Sequence, residues 1–143
     1  MAVRFFNVYG PRQNPDSEYS GVLSIVTKCL KNKQPFTLYG DGQQTRDFVY
    51  VEDVVDALIK IATETNEPTV YNIANGNEQA LIDVIHTYED IAGMKLDIVQ
   101  REARKGDIQK SKADVSKLKS IGFEPKWSLH DGLMNYWKYY SKH

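Results

Sequence analysis

Short strand-like runs alternating with amphipathic helical stripes, divided by glycine-bearing turns, predict an α/β fold for this chain of 143 residues. Three observations carry the prediction. The run from Tyr39 to Ala57 reads as turn, strand and helix in succession. Leu81, Val84, Ile85, Tyr88 and Ile91 fall at helical spacing and stop at Gly93. The opening stretch Val3 to Val8 is β-branched and aromatic, as a half-buried strand requires.

The elements follow in order. After the strand Val3 to Val8, a loop from Tyr9 to Ser20 is rich in Pro, Asn, Asp and Ser. Val22 to Lys31 reads as a helix with Val22, Ile25, Val26, Cys29 and Leu30 inward. Phe36 to Tyr39 and Arg46 to Val51 are short strands on either side of Gly40-Asp41-Gly42, where glycine supplies the positive φ of a tight turn. Asp53, with Asp56 three residues on, resembles a capping box ahead of an apolar stripe at Val54, Val55, Leu58, Ile61 and Ala62. That helix runs to about Thr63. A strand Val70 to Ile73 ends at Asn75-Gly76, and the helix Leu81 to Ala92 follows. Leu96 to Val99 is a strand, and Asp114 to Ile121 is a short helix stopped by Gly122. Ser128 with Asp131 caps the last helix, whose Leu129, Leu133, Tyr136, Trp137 and Tyr140 face inward.

Composition narrows the function classes. A formal net charge of -1 argues against a general nucleic-acid surface or an acidic membrane. No segment has the length of a membrane span or the pattern of a signal peptide, and the single cysteine, Cys29, excludes an intramolecular disulfide. A cytoplasmic location is the expectation. Cys29 lies in a helical pattern and reads as a core thiol. His86, His130 and His143 have no metal-ligand spacing, so no metal is expected.

Three segments carry a resemblance. They are Arg4-Phe5-Phe6-Asn7-Val8-Tyr9-Gly10-Pro11-Arg12-Gln13, the run Tyr39 to Ala57 containing Thr45-Arg46-Asp47-Phe48, and Arg104-Lys105-Gly106-Asp107 followed by Ala113-Asp114-Val115-Ser116-Lys117-Leu118. In that order they resemble the extended short-chain dehydrogenase/reductase family, in its NAD-dependent epimerase and dehydratase branch. The resemblance spans nearly the whole chain but only the family's C-terminal portion. It implies the last strands of a Rossmann-type sheet plus the small mixed α/β substrate-binding domain, with residues 1–143 forming that substrate-binding portion. The family's Gly-rich dinucleotide turn is not found among the nine glycines, and no tyrosine has a lysine four residues later. The chain is therefore expected to be a fragment without the catalytic pair, inactive by itself.

The resemblance also implies roles. Asn7 contacts the sugar nucleotide, Arg46 and Arg104 grip its diphosphate, and Asp107 holds the ribose hydroxyls. An arginine fork suits a phosphate for the same geometric reason that it suits a carboxylate. Gly21 and Val22, with Thr37 and Tyr39, lie in segments that hold the base through main-chain groups. Phe6 matches a position touching the nicotinamide end of NAD, a cofactor expected in the complete enzyme and not on this chain alone. Ser111 stands where some epimerases place a tyrosine. The motif wording resembles UDP-glucose and UDP-N-acetylglucosamine 4-epimerases more than 4,6-dehydratases or UDP-glucuronate decarboxylases. The implied partner is a UDP-sugar, with a homodimer in the complete enzyme. Apolar strands at Val3 to Val8 and Val70 to Ile73 should not be edges in water, so the isolated chain is expected to self-associate.

Overall fold

The opening apolar stretch does not run as one strand: it changes partners at Phe6. In the computed structural model, which describes residues 1–143, the elements are β1 (Ala2–Phe5), β2 (Asn7–Tyr9), α1 (Val22–Asn32), β3 (Phe36–Tyr39), β4 (Thr45–Arg46), β5 (Phe48–Tyr50), α2 (Val51–Glu64), β6 (Val70–Ile73), β7 (Gln79–Ala80), α3 (Leu81–Ala92), β8 (Ile98–Arg101), α4 (Ser116–Ser120) and α5 (Leu129–Lys142). β1 pairs in parallel with β6, Ala2 opposite Val70, whereas β2 pairs in parallel with β5, Asn7 opposite Phe48. The Phe6 amide still bonds Ile73 O at 3.1 Å, and the next amide, Asn7, already bonds Asp47 O at 3.1 Å. One residue thus hands the chain from one ladder to the other. β3 pairs in parallel with β8, and β4 pairs antiparallel with β7.

Helices α3 and α5 and the strand β6 follow the sequence pattern closely. Gly93 ends α3 in the left-handed conformation at φ 65°, and Ser128 caps α5 by accepting the Asp131 N–H at 3.0 Å. Elsewhere local expectation yields to tertiary contact. α2 starts at Val51, so Asp53 is not its cap; it sits in the first turn, fully buried, and accepts the amides of Lys126 at 2.9 Å and Trp127 at 3.1 Å. Those bonds tie α2 to the segment before α5. They accompany a rotation of the helix that puts Val54, Ala57 and Ile61 inward, leaving Val55, Leu58 and Ala62 on the exposed face with Ile59. Two apolar stripes at helical spacing coexist in this sequence, and only one of them is core.

β8 begins at Ile98 because Leu96 is taken into the core, its amide bonded to the buried Glu89 carboxylate at 2.7 Å. α4 is shorter than its pattern, since Asp114 folds its carboxylate onto the Ser116 amide ahead of the first turn. The larger core joins α1, α3 and α5 to β3 and β5 around Tyr9, Tyr50, Tyr88 and Tyr136, which are nearly or fully buried. A smaller one lies between α2, β6 and α4. The Tyr9 hydroxyl rests on the backbone of α5 at Gly132, where a Cβ would collide with it.

Candidate functional site

The turn predicted from Gly40-Asp41-Gly42 forms, with Gly40 at φ 83° and Gly42 at φ 80°. A Cβ on Gly42 would stand 2.8 Å from the Ile82 Cβ, so the turn packs against α3 only because that residue is glycine. Gln44 then reaches back, donating its side-chain amide to Tyr39 O at 3.0 Å. This closes the loop and presents Tyr39 and Arg46 to the same cavity.

That cavity has a volume of about 480 Å³ and lies between α1, β3 and the segment after β8. It gathers Val22, Thr37, Tyr39, Arg46, Arg104 and Asp107, six of the nine residues expected in binding. Its size suits a small organic ligand. Its lining combines apolar side chains, among them Val22, Ile25, Phe36 and Leu38, with the charged Arg46, Arg104 and Asp107. The Arg46 guanidinium meets the Asp107 carboxylate at 2.9 Å and donates to Ile108 O at 2.6 Å and Thr45 O at 2.7 Å. These bonds use three of its donors, and a guanidinium has about five, leaving donors for an incoming anion. Arg104 sits over Tyr39, its guanidinium carbon 3.9 Å from the ring centroid, so the second cation is placed by an aromatic face.

Asn7, Gly21 and Phe6 stand outside this cavity. The Asn7 side-chain amide donates to Asp47 O at 3.3 Å, Gly21 is the extended N-cap residue of α1, and Phe6 packs against Ala74, Ala113 and Val115. The cavity wall adds residues that the motifs did not single out as ligand contacts, among them Cys29 and Gln44. Gln44 had a legible signal, lying between the turn glycine and Arg46. Cys29 had none, because a residue on the buried face of α1 is core by pattern; it is indeed buried, and also reaches the cavity. Burial pushes its thiol above the usual range, against a smaller opposing pull from Lys28, which keeps it protonated and weakly nucleophilic.

Tyrosinate chemistry has no foothold in the core either. Burial pushes the hydroxyls of Tyr9, Tyr88 and Tyr136 well above the ordinary tyrosine value, the opposite of what a general base needs. No group of three or more His, Cys, Asp or Glu side chains is placed to hold a metal ion, and no helix is long and apolar enough to cross a membrane.

The cavity, set in an α/β frame, is lined by apolar side chains together with two arginines and a carboxylate. The family model for the NAD dependent epimerase/dehydratase family matches residues 1–74, and the chain belongs to that family. Its fold is similar to the crystal structure of UDP-glucose 4-epimerase from Thermotoga maritima with UDP-glucose, at a TM-score of 0.90 and 38% identity, covering 98% of this chain and 45% of that one. It is 32% identical over 133 residues to dTDP-L-rhamnose 4-epimerase of Burkholderia thailandensis, covering 92% of this chain and 37% of the relative. It is 35% identical over 131 residues to UDP-glucuronic acid decarboxylase 3 of Arabidopsis thaliana, covering 91% of this chain and 37% of the relative. The chain thus spans about two fifths of the length of the curated relatives it matches.

Proposed function

We propose that this chain is the nucleotide-sugar-binding portion of an NAD-dependent 4-epimerase acting on a UDP-hexose, inactive without the remainder of such an enzyme. The observation that carries the reading is that Arg46, Arg104 and Asp107 line the same cavity, Arg46 bonded to Asp107 and Arg104 seated over Tyr39, together with apolar side chains of α1 and β3. In this reading Arg46 and Arg104 take the diphosphate, Asp107 takes the ribose hydroxyls, and the main chain at Val22, Thr37 and Tyr39 borders the base. Gly21 shapes the start of α1 beside it. Asn7 reaches the sugar nucleotide from the end of the strand face it shares with Phe48.

The residues present do not form a holder for NAD. The N-cap positions of the three longer internal helices are Gly21, Tyr50 and Ala80, none of them within a Gly-rich dinucleotide turn, and Phe6 contributes no polar group. NAD, which in an epimerase accepts and returns a hydride, belongs in this reading to the part of the enzyme beyond these residues. Phe6 would lie at its nicotinamide end. This chain's share is to grip and orient the nucleotide, a contribution made through positioning. In this reading the complete enzyme is a homodimer, and this chain by itself self-associates through its exposed Phe5, Val55 and Ile59.

Calorimetric titration with UDP, dTDP and uridine tests the reading. UDP is expected to bind more tightly than uridine, and Arg46→Ala should remove roughly 1.5–3 kcal/mol of UDP affinity, about ten- to a hundredfold, with little effect on uridine. A preference for dTDP would move the base assignment to a deoxythymidine nucleotide. Absence of any nucleotide binding by the folded chain would overturn the reading.

A further inference from the structure

Asp47 lies between β4 and β5 and is fully buried, yet it forms no ion pair; the partners of its carboxylate are backbone amides. One carboxylate oxygen accepts the Asn75 amide at 2.8 Å, and the other accepts Gly76 at 3.0 Å and Ala113 at 3.2 Å. Its own carbonyl accepts both the backbone amide of Asn7 at 3.1 Å and the Asn7 side-chain amide at 3.3 Å. The three N–H groups converging on the carboxylate demand an acceptor on both oxygens, which an asparagine side chain cannot supply. Gly76 is fitted to this arrangement, since a Cβ there would stand 2.8 Å from Val115 Cγ2.

We infer that Asp47 is the positioning residue that assembles the anion grip. It precedes β5, follows Arg46 directly, fixes Asn7 through its carbonyl, and through Ala113 pins the far end of the segment that carries Arg104 and Asp107. The same segment is stitched to β4 where the Thr45 amide donates to Gln109 O at 2.8 Å and the Ser111 amide donates to Thr45 Oγ1 at 3.2 Å. Asn7, Arg46 and the Arg104–Asp107 segment come from distant parts of the sequence, and Asp47 is the residue bonded or adjacent to all three. Asp53 is an internal control. It is equally buried and also accepts two backbone amides, Lys126 and Trp127, neither of which lines the cavity.

The inference rests on reading the cavity as a nucleotide diphosphate site, and the test separates the two. Nitrogen-edited NMR of the wild type, Asp47→Asn and Asp53→Asn reads the Arg46 guanidinium and the Ala113 amide without ligand. UDP and uridine titrations of the same three proteins follow. Asp47→Asn should displace the Arg46 and Ala113 signals and reduce UDP affinity by roughly tenfold or more while leaving uridine nearly unchanged, so that the preference for the diphosphate collapses. Asp53→Asn should leave the signals and the preference intact. Unchanged Arg46 and Ala113 signals in Asp47→Asn, equal displacement by Asp53→Asn, or loss of the whole fold in Asp47→Asn where Asp53→Asn stays folded would each overturn the role. If the wild type binds no UDP while Asp47→Asn still displaces those two signals, the positioning role stands and the nucleotide reading falls.

Discussion

Sixteen buried side chains pack around Tyr88, Tyr136 and Leu133 between α1, α3, α5 and the strands beside the cavity, while eight do so between α2, β6 and α4. The first region leaves few large apolar groups uncovered. On the second, Phe5 of β1 and Val55 and Ile59 of α2 are 53%, 49% and 57% exposed. β1 and β6 form a parallel pair with no third strand, as do β2 with β5 and β3 with β8, so the two regions differ in exposed apolar surface and not in strand count. The difference teaches that the region beside the cavity covers its own core, whereas the face formed by β1 and α2 leaves large apolar side chains exposed.

The largest expected effect breaks the first region. Leu133 is fully buried where α5 meets that core, and Leu133→Ala should cost about 3 kcal/mol of unfolding free energy, read as a lower denaturant midpoint. A matching change on the second region should do almost nothing to stability. Ile59→Glu places a charge on the uncovered face and is expected to shift stability by less than about 0.5 kcal/mol while suppressing self-association in sedimentation velocity at high concentration. A wild type that stays monomeric throughout would remove the contrast between the regions.

The smallest effect sharpens the comparison at the seam between them, where Asp47 sits. Burial raises its carboxyl above the ordinary value, against the pull of the Asn75, Ala113 and Gly76 amides and of Lys112. Between the ordinary carboxylate value and the raised one the folded state holds a proton that the unfolded chain has released, so the contribution of this shift to stability is full below the ordinary value and declines as pH rises through the raised one. In Asp47→Asn that segment of the pH–stability curve should flatten, as measured by thermal melts across the acid range.

Much of the fold was legible because the signals were local. The α3 stripe, its Gly93 terminus and the Ser128 cap of α5 each depend on neighbours within a few residues. The Gly40 to Gly42 turn and the convergence of Arg46, Arg104 and Asp107 were likewise foreshadowed, the former by glycine chemistry and the latter by family resemblance. What escaped depended on distant partners. The break at Phe6 goes with Ile73 O accepting the Phe6 amide and Asp47 O the next one, Asn7, and the inward face of α2 goes with Asp53 reaching a segment more than seventy positions on. Asn7 reads as a ligand contact by motif, yet its amide is engaged by the backbone of Asp47, a bond no spacing rule contains.

The ladder register has a consequence for how the chain reaches this state. Ala2 pairs with Val70, Phe36 with Ile98 and Asn7 with Phe48, and none of the four ladders is a hairpin between consecutive strands. Each pairing therefore closes a long loop before its hydrogen bonds return any stabilisation. Pairings this far apart in sequence predict slow refolding, with local helices forming ahead of the ladders and the Arg46–Asp107 contact, 61 positions apart, forming late.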